Sequence, residues 1–285
     1  MRGVPARPDV ARLTSGCTAV ADVRRAGMMG DDPRGPHPPV PASEAVLSTL
    51  SSPAHRPSAP QRSASPAAVL WDMDGTLIDT EPHWMAAEIA LVEEHGGVWT
   101  PSDAATMVGS SMSVSAALLQ SRGVRLEVDQ IAHQLNTAVG AAVAAGVPWR
   151  PGALELLRAL HAAGVPQALV TSSFDVLAAP FAQTVGLFDV VVAGDDVTRP
   201  KPDPEPYLTA ARLLGVDVRA CVAFEDSATG LASAVASGAR VVAVDSHVTI
   251  DPPAGVSRVG SLARVDLPTI ERVAAGETLD LRRSV

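Results

Sequence analysis

Residues 67–81, with the sequence AAVLWDMDGTLIDTE, constrain the fold of this chain more than any other stretch. A short apolar run leads directly into Asp72 and Asp74, and Gly75 follows. Such a run is typical of a buried parallel strand that delivers polar side chains to one edge of a sheet. Two carboxylates placed two residues apart repel each other unless a cation or a shared proton relieves the repulsion. The stretch therefore favours a divalent metal site in which one acid is free to act as a nucleophile or general acid.

Two simpler interpretations compete with this metal site. The stretch could be an ordinary strand end whose acids are solvated by water. A calcium-binding loop is the other alternative, because Asp72, Asp74 and Gly75 match part of such a motif. That match fails at Thr76 and Leu77, which stand where the third acid and its glycine belong. The strand end with solvated acids stays open at this point.

From residue 150 onward the sequence alternates between helical and strand patterns. Predicted strands cover residues 167–171, 190–193, 221–225 and 240–245. Predicted helices cover residues 152–163, 207–214 and 229–237, and another helix lies between the first two of these strands. Alternation of this kind favours an α/β fold with a Rossmann-like, doubly wound parallel sheet as its core.

The same patterns divide the chain into predicted parts. Residues 82–149 carry helical patterns only and form an all-helical domain inserted after the first strand, where it would suit a lid over a site. The α/β core then covers residues 67–81 and 150–270. Residues 1–66 hold 11 of the 24 prolines and no sustained period, so we expect a disordered tail. We assign residues 271–285 to a C-terminal tail.

Charge is unevenly distributed along the chain. Residues 1–66 carry a net charge of +3, whereas residues 67–285 carry −12. An acidic body argues against nucleic-acid binding and suits a protein that recruits a divalent cation to meet an anionic substrate. Two cysteines cannot build a disulfide framework, and no apolar stretch has the length of a signal-peptide core or a membrane span. We therefore expect a cytoplasmic monomer or weak homodimer with no membrane or nucleic-acid partner.

In a doubly wound sheet, ligands bind at the carboxyl ends of the strands. Polar residues of this sequence fall at four such ends: Asp72 and Asp74 after the first strand, Thr171, Ser172 and Ser173 after the second, Lys201 beyond the third, and Glu225 and Asp226 after the fourth. Lys201 is the only lysine among 22 basic residues, which reflects either a GC-rich genome or a need for a compact ammonium. Acids, hydroxyls and one ammonium at four strand ends favour phosphate chemistry over solvated acids.

Four segments carry a resemblance to a known family. WDMDGTLIDTEP, VTSS, RPKPDPEPY and FEDSATG occur in the order and spacing of the four motifs of haloacid dehalogenase superfamily hydrolases. The sequence resembles the β-phosphoglucomutase-like and phosphatase subgroup, whose members carry a helical cap after the first motif. The resemblance implies a Mg²⁺-dependent phosphatase. Such an enzyme hydrolyses a small phosphorylated metabolite, such as a sugar or polyol phosphate, through an aspartyl-phosphate intermediate.

The resemblance also implies roles for individual residues. Asp72 would be the nucleophile that attacks phosphorus. Asp74 would protonate the leaving alkoxide and later deprotonate water. Lys201 and the hydroxyl of Thr171 or Ser172 would meet the charge on the transferring phosphoryl group.

A Mg²⁺ site is implied by the same motifs. Asp72, Asp226 and the backbone carbonyl of Asp74 would be direct ligands. Glu225 would hold a metal-bound water or serve as a further ligand. Hard oxygen ligands of this kind, completed by water, suit Mg²⁺. Gly75 would let the backbone turn tightly and approach the phosphate.

Substrate selection is expected from the helical insertion, because the core reads only the phosphate. The Gly/Ser-rich loop at residues 108–113 supplies the candidate substrate-binding residues Gly109, Ser110 and Ser111. Two related classes can be set aside. Dehalogenases of this superfamily lack the second acid that is present here as Asp74. Phosphonate-cleaving members use a cap lysine, and residues 82–149 contain none.

A sugar-phosphate mutase such as β-phosphoglucomutase is the main alternative, since its core motifs are the same. Mutases of that kind carry an arginine in the cap loop after Gly-x-Ser, where this sequence has Met112. A thioether does not replace the bidentate contact of arginine to phosphate, although Arg122 or Arg125 could supply one from elsewhere. We therefore favour the phosphatase. A third possibility is a sugar-phosphate-binding protein without turnover, which the intact set of acids and lysine opposes.

Overall fold

The computed structural model describes residues 65–107, 110–247 and 250–282, so the predicted N-terminal tail falls outside the described residues up to position 64. One parallel sheet of seven strands forms the centre of this part of the chain. The strands are β1 (Ala68–Trp71), β2 (Gln167–Val170), β3 (Val190–Val192), β4 (Cys221–Glu225), β5 (Arg240–Val244), β6 (Ser257–Val259) and β7 (Asp280–Leu281). Their order across the sheet is β3-β2-β1-β4-β5-β6-β7.

The described residues also form α-helices between and after these strands. They are α1 (Glu81–Glu94), α2 (Pro101–Ala105), α3 (Met112–Ser121), α4 (Val128–Ala145), α5 (Ala153–Ala162), α6 (Asp175–Val185), α7 (Glu205–Leu214), α8 (Ala228–Ser237) and α9 (Leu267–Ala274). Within the ranges that the structure describes, none of these helices combines the length and hydrophobicity that a bilayer crossing requires.

Both faces of the sheet are covered, as the doubly wound architecture requires. Val69 and Trp71 of β1 belong to a hydrophobic cluster that includes residues of α5, α6 and α9. Ala68 and Leu70, which point the other way, belong to a second cluster that includes residues of α7 and α8. The predicted α/β fold with a Rossmann-like, doubly wound parallel sheet is therefore confirmed.

Strand β1 lies between β2 and β4, which sets the position of every motif that follows it. The backbone register aligns Trp71 with Leu169 of β2 and with Phe224 of β4. The Trp71 ring stacks on Phe224 with centroids 4.4 Å apart, and its Nε1 donates to Gln167 Oε1 at 3.0 Å. Because the strands are parallel and in this register, the three carboxyl ends meet at one edge of the sheet.

Helices α1 to α4 fall between β1 and β2 in the sequence and share a hydrophobic cluster of their own. Its buried members include Leu91, Val92, Trp99, Leu119, Ile131 and Leu135. Helix α2 was not predicted, because five residues are too few to show a helical period; a capping box between Thr100 and Asp103 starts it. Helix α4 also packs against α6, where the buried Asn136 side chain accepts a hydrogen bond from the Phe174 backbone N–H at 2.8 Å.

The C-terminal segment differs from the prediction of a tail over residues 271–285. Helix α9 buries Ile270 and Val273 against the sheet, and β7 then adds a seventh strand beside β6. Helix α9 crosses the predicted boundary at residue 270, and β7 has only two residues, too few to show a strand period in the sequence. The core therefore extends to the last described residue, at position 282.

Candidate active site

A cavity of about 210 Å³ lies at the carboxyl ends of β1, β2 and β4. The predicted site residues that line it are Asp72, Asp74, Gly75, Ser110, Ser172, Lys201 and Asp226. The helical insertion contributes Trp84, Glu88, Met112, Ser115 and Leu135 to the same cavity. Residues that are far apart in the sequence are thus gathered around one space.

Lys201 is held at the floor of this cavity by three acceptors. Its Nζ donates to Asp72 Oδ1 at 2.8 Å and to Glu225 Oε1 at 2.5 Å. A third hydrogen bond runs to the backbone carbonyl of Val170 at 2.9 Å, at the end of β2. Lys201 is only 4% exposed, so this geometry satisfies all three donors of a buried ammonium.

Three carboxylates lie near this ammonium. One oxygen each from Asp72, Glu225 and Asp226 forms a group within 4.8 Å. Burial, followed by the charge of Glu225, raises the pKa of Asp72 well above its usual range and raises the pKa of Asp226 to about 7. Burial lowers the pKa of Lys201, but the carboxylates of Asp72 and Glu225 raise it by more, so Lys201 stays protonated. With all three carboxylates ionised, they and Lys201 would carry a net charge of −2, and a divalent cation would relieve the repulsion that raises the pKa values of Asp72 and Asp226.

The donor set fits Mg²⁺, because it consists of hard carboxylate oxygens beside a space that can hold water. Asp72 and Asp226 both line the cavity. The carboxylate of Asp74 is not part of the three-residue group, which agrees with a contribution through its backbone carbonyl. The structure therefore brings the predicted ligand residues Asp72, Glu225 and Asp226 together and leaves the Asp74 side chain for another task.

The Asp74 carboxylate is oriented by four neutral donors. Its Oδ1 accepts from Thr80 Oγ1 at 2.5 Å and from Trp84 Nε1 at 3.2 Å. Its Oδ2 accepts from Ser173 Oγ at 2.7 Å and from Thr171 Oγ1 at 3.3 Å. The two acids of the first motif thus have different surroundings, one beside an ammonium and the other beside hydroxyls and an indole.

Glu225 is fully buried and is engaged by protein donors on both oxygens. Oε1 accepts from Lys201 and from the Tyr207 hydroxyl, the latter at 2.7 Å. Oε2 accepts from the Asp226 backbone N–H at 3.2 Å and from Ser227 Oγ at 3.3 Å. Burial raises the pKa of Tyr207 well above its usual range, so this phenol remains a donor. These contacts favour a role in positioning Lys201 over direct metal ligation by Glu225.

The residues predicted to bind the substrate or to meet its phosphoryl group do not all lie at the cavity. Gly75, Ser110 and Ser172 line it. Ser111 is half-buried at the start of α3 and is not part of the lining, and Gly109 lies outside the described residues. Thr171 is 2% exposed and does not line the cavity either. Of the two residues whose hydroxyls were predicted to meet the phosphoryl group, Ser172 is therefore the one that lines the cavity.

Several contacts of the site were not predicted from the sequence. Thr80, Trp84 and Ser173 bind Asp74, and Thr76 Oγ1 donates to Asp226 Oδ1 at 3.3 Å. Tyr207 is the one residue with a sequence signal that could have been used. It is the only tyrosine of the chain and ends the RPKPDPEPY segment that contains Lys201.

Gly75 gives a first testable prediction. Its φ is +83°, and a Cβ atom at this position would collide with the Asp226 carboxylate. Gly75→Ala should cost about 1 kcal/mol in backbone strain and also displace Asp226. We expect Mg²⁺ affinity, measured by isothermal titration calorimetry, to fall about 10- to 100-fold.

Gly164→Ala is the matched control, because Gly164 has φ +72° and open space around its Cβ position. This variant should lose a similar amount of stability and keep its Mg²⁺ affinity. Equal Mg²⁺ affinities in the two variants would contradict the assignment of Asp226 as a ligand.

The family model for haloacid dehalogenase-like hydrolases matches residues 66–238. The chain belongs to this family. All four motif segments lie inside the matched residues, so the resemblance seen in the sequence is confirmed.

This haloacid dehalogenase-like hydrolase is similar to proteins with named activities. Hexitol phosphatase A from Escherichia coli is 34% identical over 191 residues, which cover 62% of this chain and 82% of that protein. The crystal structure of a CbbY variant from Rhodobacter sphaeroides in complex with xylulose 1,5-bisphosphate has a TM-score of 0.63 and 26% identity, and covers 70% of this chain and 95% of that one. β-Phosphoglucomutase from Clostridium difficile has a TM-score of 0.63 at 19% identity and covers 74% and 97% of the two chains, a likeness that shows the fold alone.

Proposed function

We propose that this haloacid dehalogenase-like hydrolase is a Mg²⁺-dependent phosphomonoesterase that hydrolyses a small sugar or polyol phosphate. The observation that carries the proposal is the pair of differently held acids at the floor of one cavity. Asp72 Oδ1 lies 2.8 Å from the Lys201 ammonium, whose charge opposes the rise in the pKa of Asp72 that burial causes, and a bound divalent cation would favour the ionised nucleophile further. Hydroxyls and an indole hold the Asp74 side chain at the cavity and outside the group of three carboxylates, which leaves it available as a general acid and base. The similarity to hexitol phosphatase A supports this substrate class.

The chemistry follows from these positions. An oxygen of Asp72 attacks phosphorus, the bond from phosphorus to the ester oxygen breaks, and Asp74 gives its proton to the departing alkoxide. Asp74 then takes a proton from a water molecule that attacks the aspartyl phosphate, which releases phosphate and restores Asp72. Lys201 and Ser172 stabilise charge on the phosphoryl oxygens throughout. Mg²⁺, which Asp72, Asp226 and the Asp74 carbonyl would hold, supplies Lewis-acid stabilisation of the same charge when bound.

We also propose that the helical insertion at residues 82–149 acts as a cap that selects the substrate. Its helices have a hydrophobic cluster of their own, while α4 also packs against the sheet cluster through Val139 and Val143. Trp84, Met112 and Leu135 from three of its helices line the cavity together with the acids of the core. In this arrangement the core binds the phosphoryl group and the cap contacts the rest of the substrate.

The mutase alternative requires a guanidinium that binds a second phosphate. Arg122 is exposed, pairs with Asp103 at 2.9 Å and lies over the Trp99 ring at 5.4 Å. Neither Arg122 nor Arg125 is part of the described cavity lining, whereas Met112 is. Hydrolysis is therefore better supported than phosphoryl transfer between sugar positions. A cytoplasmic location and a monomeric or weakly dimeric state stay predictions.

Phosphate release from a panel of sugar and polyol phosphates tests the proposal. Activity measured with millimolar MgCl₂ should fall about 100-fold or more when excess EDTA is added, since a Lewis acid contributes several kcal/mol to phosphoryl transfer. It should return when Mg²⁺ is restored. Full activity in EDTA would contradict the metal requirement. Conversion of β-glucose 1-phosphate to glucose 6-phosphate faster than its hydrolysis would favour the mutase instead.

A further inference from the structure

The helical insertion places an unusual carboxyl group in the cavity. Glu88 lies on α1, is 6% exposed and lines the cavity that contains Asp72 and Lys201. A buried carboxyl normally has a hydrogen-bond partner, because leaving one without a partner is costly. Among the described residues, however, Glu88 Oε2 has none.

The Trp99 indole is a neighbouring donor that does not fully satisfy Glu88. Its N–H interacts with the carboxyl and lowers the pKa of Glu88, but the contact falls short of hydrogen-bond geometry, and Trp99 Nε1 has no other partner among the described residues. Glu88 is thus close both to an unsatisfied donor and to the cavity. A group that enters the cavity could supply the missing hydrogen bond.

The surroundings of Glu88 favour its protonated form. Burial, followed by the charge of Glu81, raises the pKa of Glu88 to about 8. Glu81 lies seven residues earlier on α1, which places both side chains on the same face of the helix, and it also lines the cavity. A protonated carboxyl has one donor and free acceptor capacity, which is the hydrogen-bonding pattern that a hydroxyl group complements.

The other residues that line the cavity limit the chemical class of the substrate. The described lining contains only two basic side chains, Lys201 and His247. Asp72 and Glu225 engage Lys201, and His247 pairs with Asp79 at 2.8 Å. A second anionic group on the substrate would therefore lack a cation to neutralise it.

We propose that Glu88 is a specificity-determining residue that hydrogen-bonds a hydroxyl group in the part of the substrate distant from the phosphate. The inference rests on the proposed phosphatase function and adds to it a substrate class, namely uncharged polyhydroxyl monophosphates. It also places a determinant of specificity on α1, outside the loop at residues 108–113.

The test compares Glu88→Gln and Glu88→Leu with wild type at pH 7. Sorbitol 6-phosphate carries hydroxyls along its chain, and p-nitrophenyl phosphate carries none. Glu88→Leu should raise KM for sorbitol 6-phosphate about tenfold and leave kcat and the turnover of p-nitrophenyl phosphate within about twofold. Glu88→Gln, whose amide still donates and accepts, should stay within about threefold of wild type. Glu93→Gln, on the exposed side of the same helix, is the matched control and should change nothing.

The outcomes separate this inference from the function on which it rests. No phosphate release from any compound by the wild type would overturn both. If the wild type releases phosphate but Glu88→Leu keeps the wild-type KM for sorbitol 6-phosphate, the role of Glu88 alone would be overturned. An equal loss of activity toward p-nitrophenyl phosphate in Glu88→Leu would overturn it as well. If Glu88→Leu does not fold, Glu88→Gln provides the test. A more than tenfold loss of sorbitol 6-phosphate turnover in that variant would overturn the role of Glu88.

Two further comparisons of substrates test whether the enzyme prefers uncharged compounds. Wild type should use sorbitol 6-phosphate at least about tenfold better than 6-phosphogluconate, which replaces one terminal hydroxymethyl group by a carboxylate. Equal turnover of these two compounds would contradict the assignment of uncharged polyhydroxyl monophosphates as the substrate class. A tenfold preference for glucosamine 6-phosphate over glucose 6-phosphate that disappears in Glu88→Gln would show an ionised Glu88 binding an ammonium, and would overturn the hydroxyl assignment.

Discussion

Asp72→Asn is expected to lower kcat for phosphate release by about 10⁴-fold or more, the scale of effect that follows loss of a covalent nucleophile. The amide has the shape of the carboxyl and still offers an oxygen to Lys201 Nζ, so the cavity should keep its form. It cannot form the aspartyl phosphate, because an amide oxygen is a poor nucleophile at phosphorus. Single-turnover assays with a labelled phosphate ester measure both the rate and the covalent adduct.

Asp217→Asn is the matched control for this variant. Asp217 is a half-exposed surface acid paired with Arg219, so its replacement should leave kcat unchanged. Wild-type turnover in Asp72→Asn, with purity verified by mass spectrometry, would contradict the nucleophile assignment. So would labelled phosphate attached to any other residue of the wild-type enzyme.

Lys201→Met is expected to affect both stability and activity. Removing the ammonium leaves Asp72 and Glu225 buried without their shared cation, and breaking a buried pair in this way costs about 3–5 kcal/mol. Turnover should also fall about 10²- to 10³-fold, because the positive charge that stabilises the phosphoryl oxygens is lost. Urea denaturation measures the free energy of unfolding, and steady-state kinetics at a temperature where the variant is folded measure kcat.

Two further variants show whether this result is specific to position 201. Arg219→Met removes a surface guanidinium and should leave the free energy of unfolding close to that of wild type. Lys201→Arg keeps the charge, but its planar fork does not match three acceptors arranged around one nitrogen, so activity should not recover fully. A Lys201→Met enzyme as stable and active as wild type would refute the account of the site.

The grouping of the site residues was predictable from the sequence for a topological reason. Short apolar runs that end in polar residues identify parallel strands, and the carboxyl ends of such strands share one edge of the sheet. Asp72, Lys201 and Asp226 could therefore be brought together without coordinates. Their distances and partners could not, because these depend on how α1 and α7 pack against the sheet.

Three features show where local patterns are insufficient. The hydroxyl of Tyr207 reaches Glu225 only because α7 packs against the sheet at a particular register, and no sequence period encodes that register. Strand β7 is two residues long and is stabilised by pairing with β6, so its residues resembled a tail. Glu88 carries no sequence signal that distinguishes it from other helical acids, and its burial comes from the packing of the insertion.

The burial of Lys201 has a practical consequence for chemical labelling. Amine-directed reagents need a neutral, accessible amine, and the only lysine side chain of this protein is protonated and enclosed. N-hydroxysuccinimide dyes should therefore attach to the folded protein through its α-amino group alone. A fluorophore or surface linker could be placed at one defined point while the catalytic centre stays unmodified, and dye on Lys201 would report unfolding.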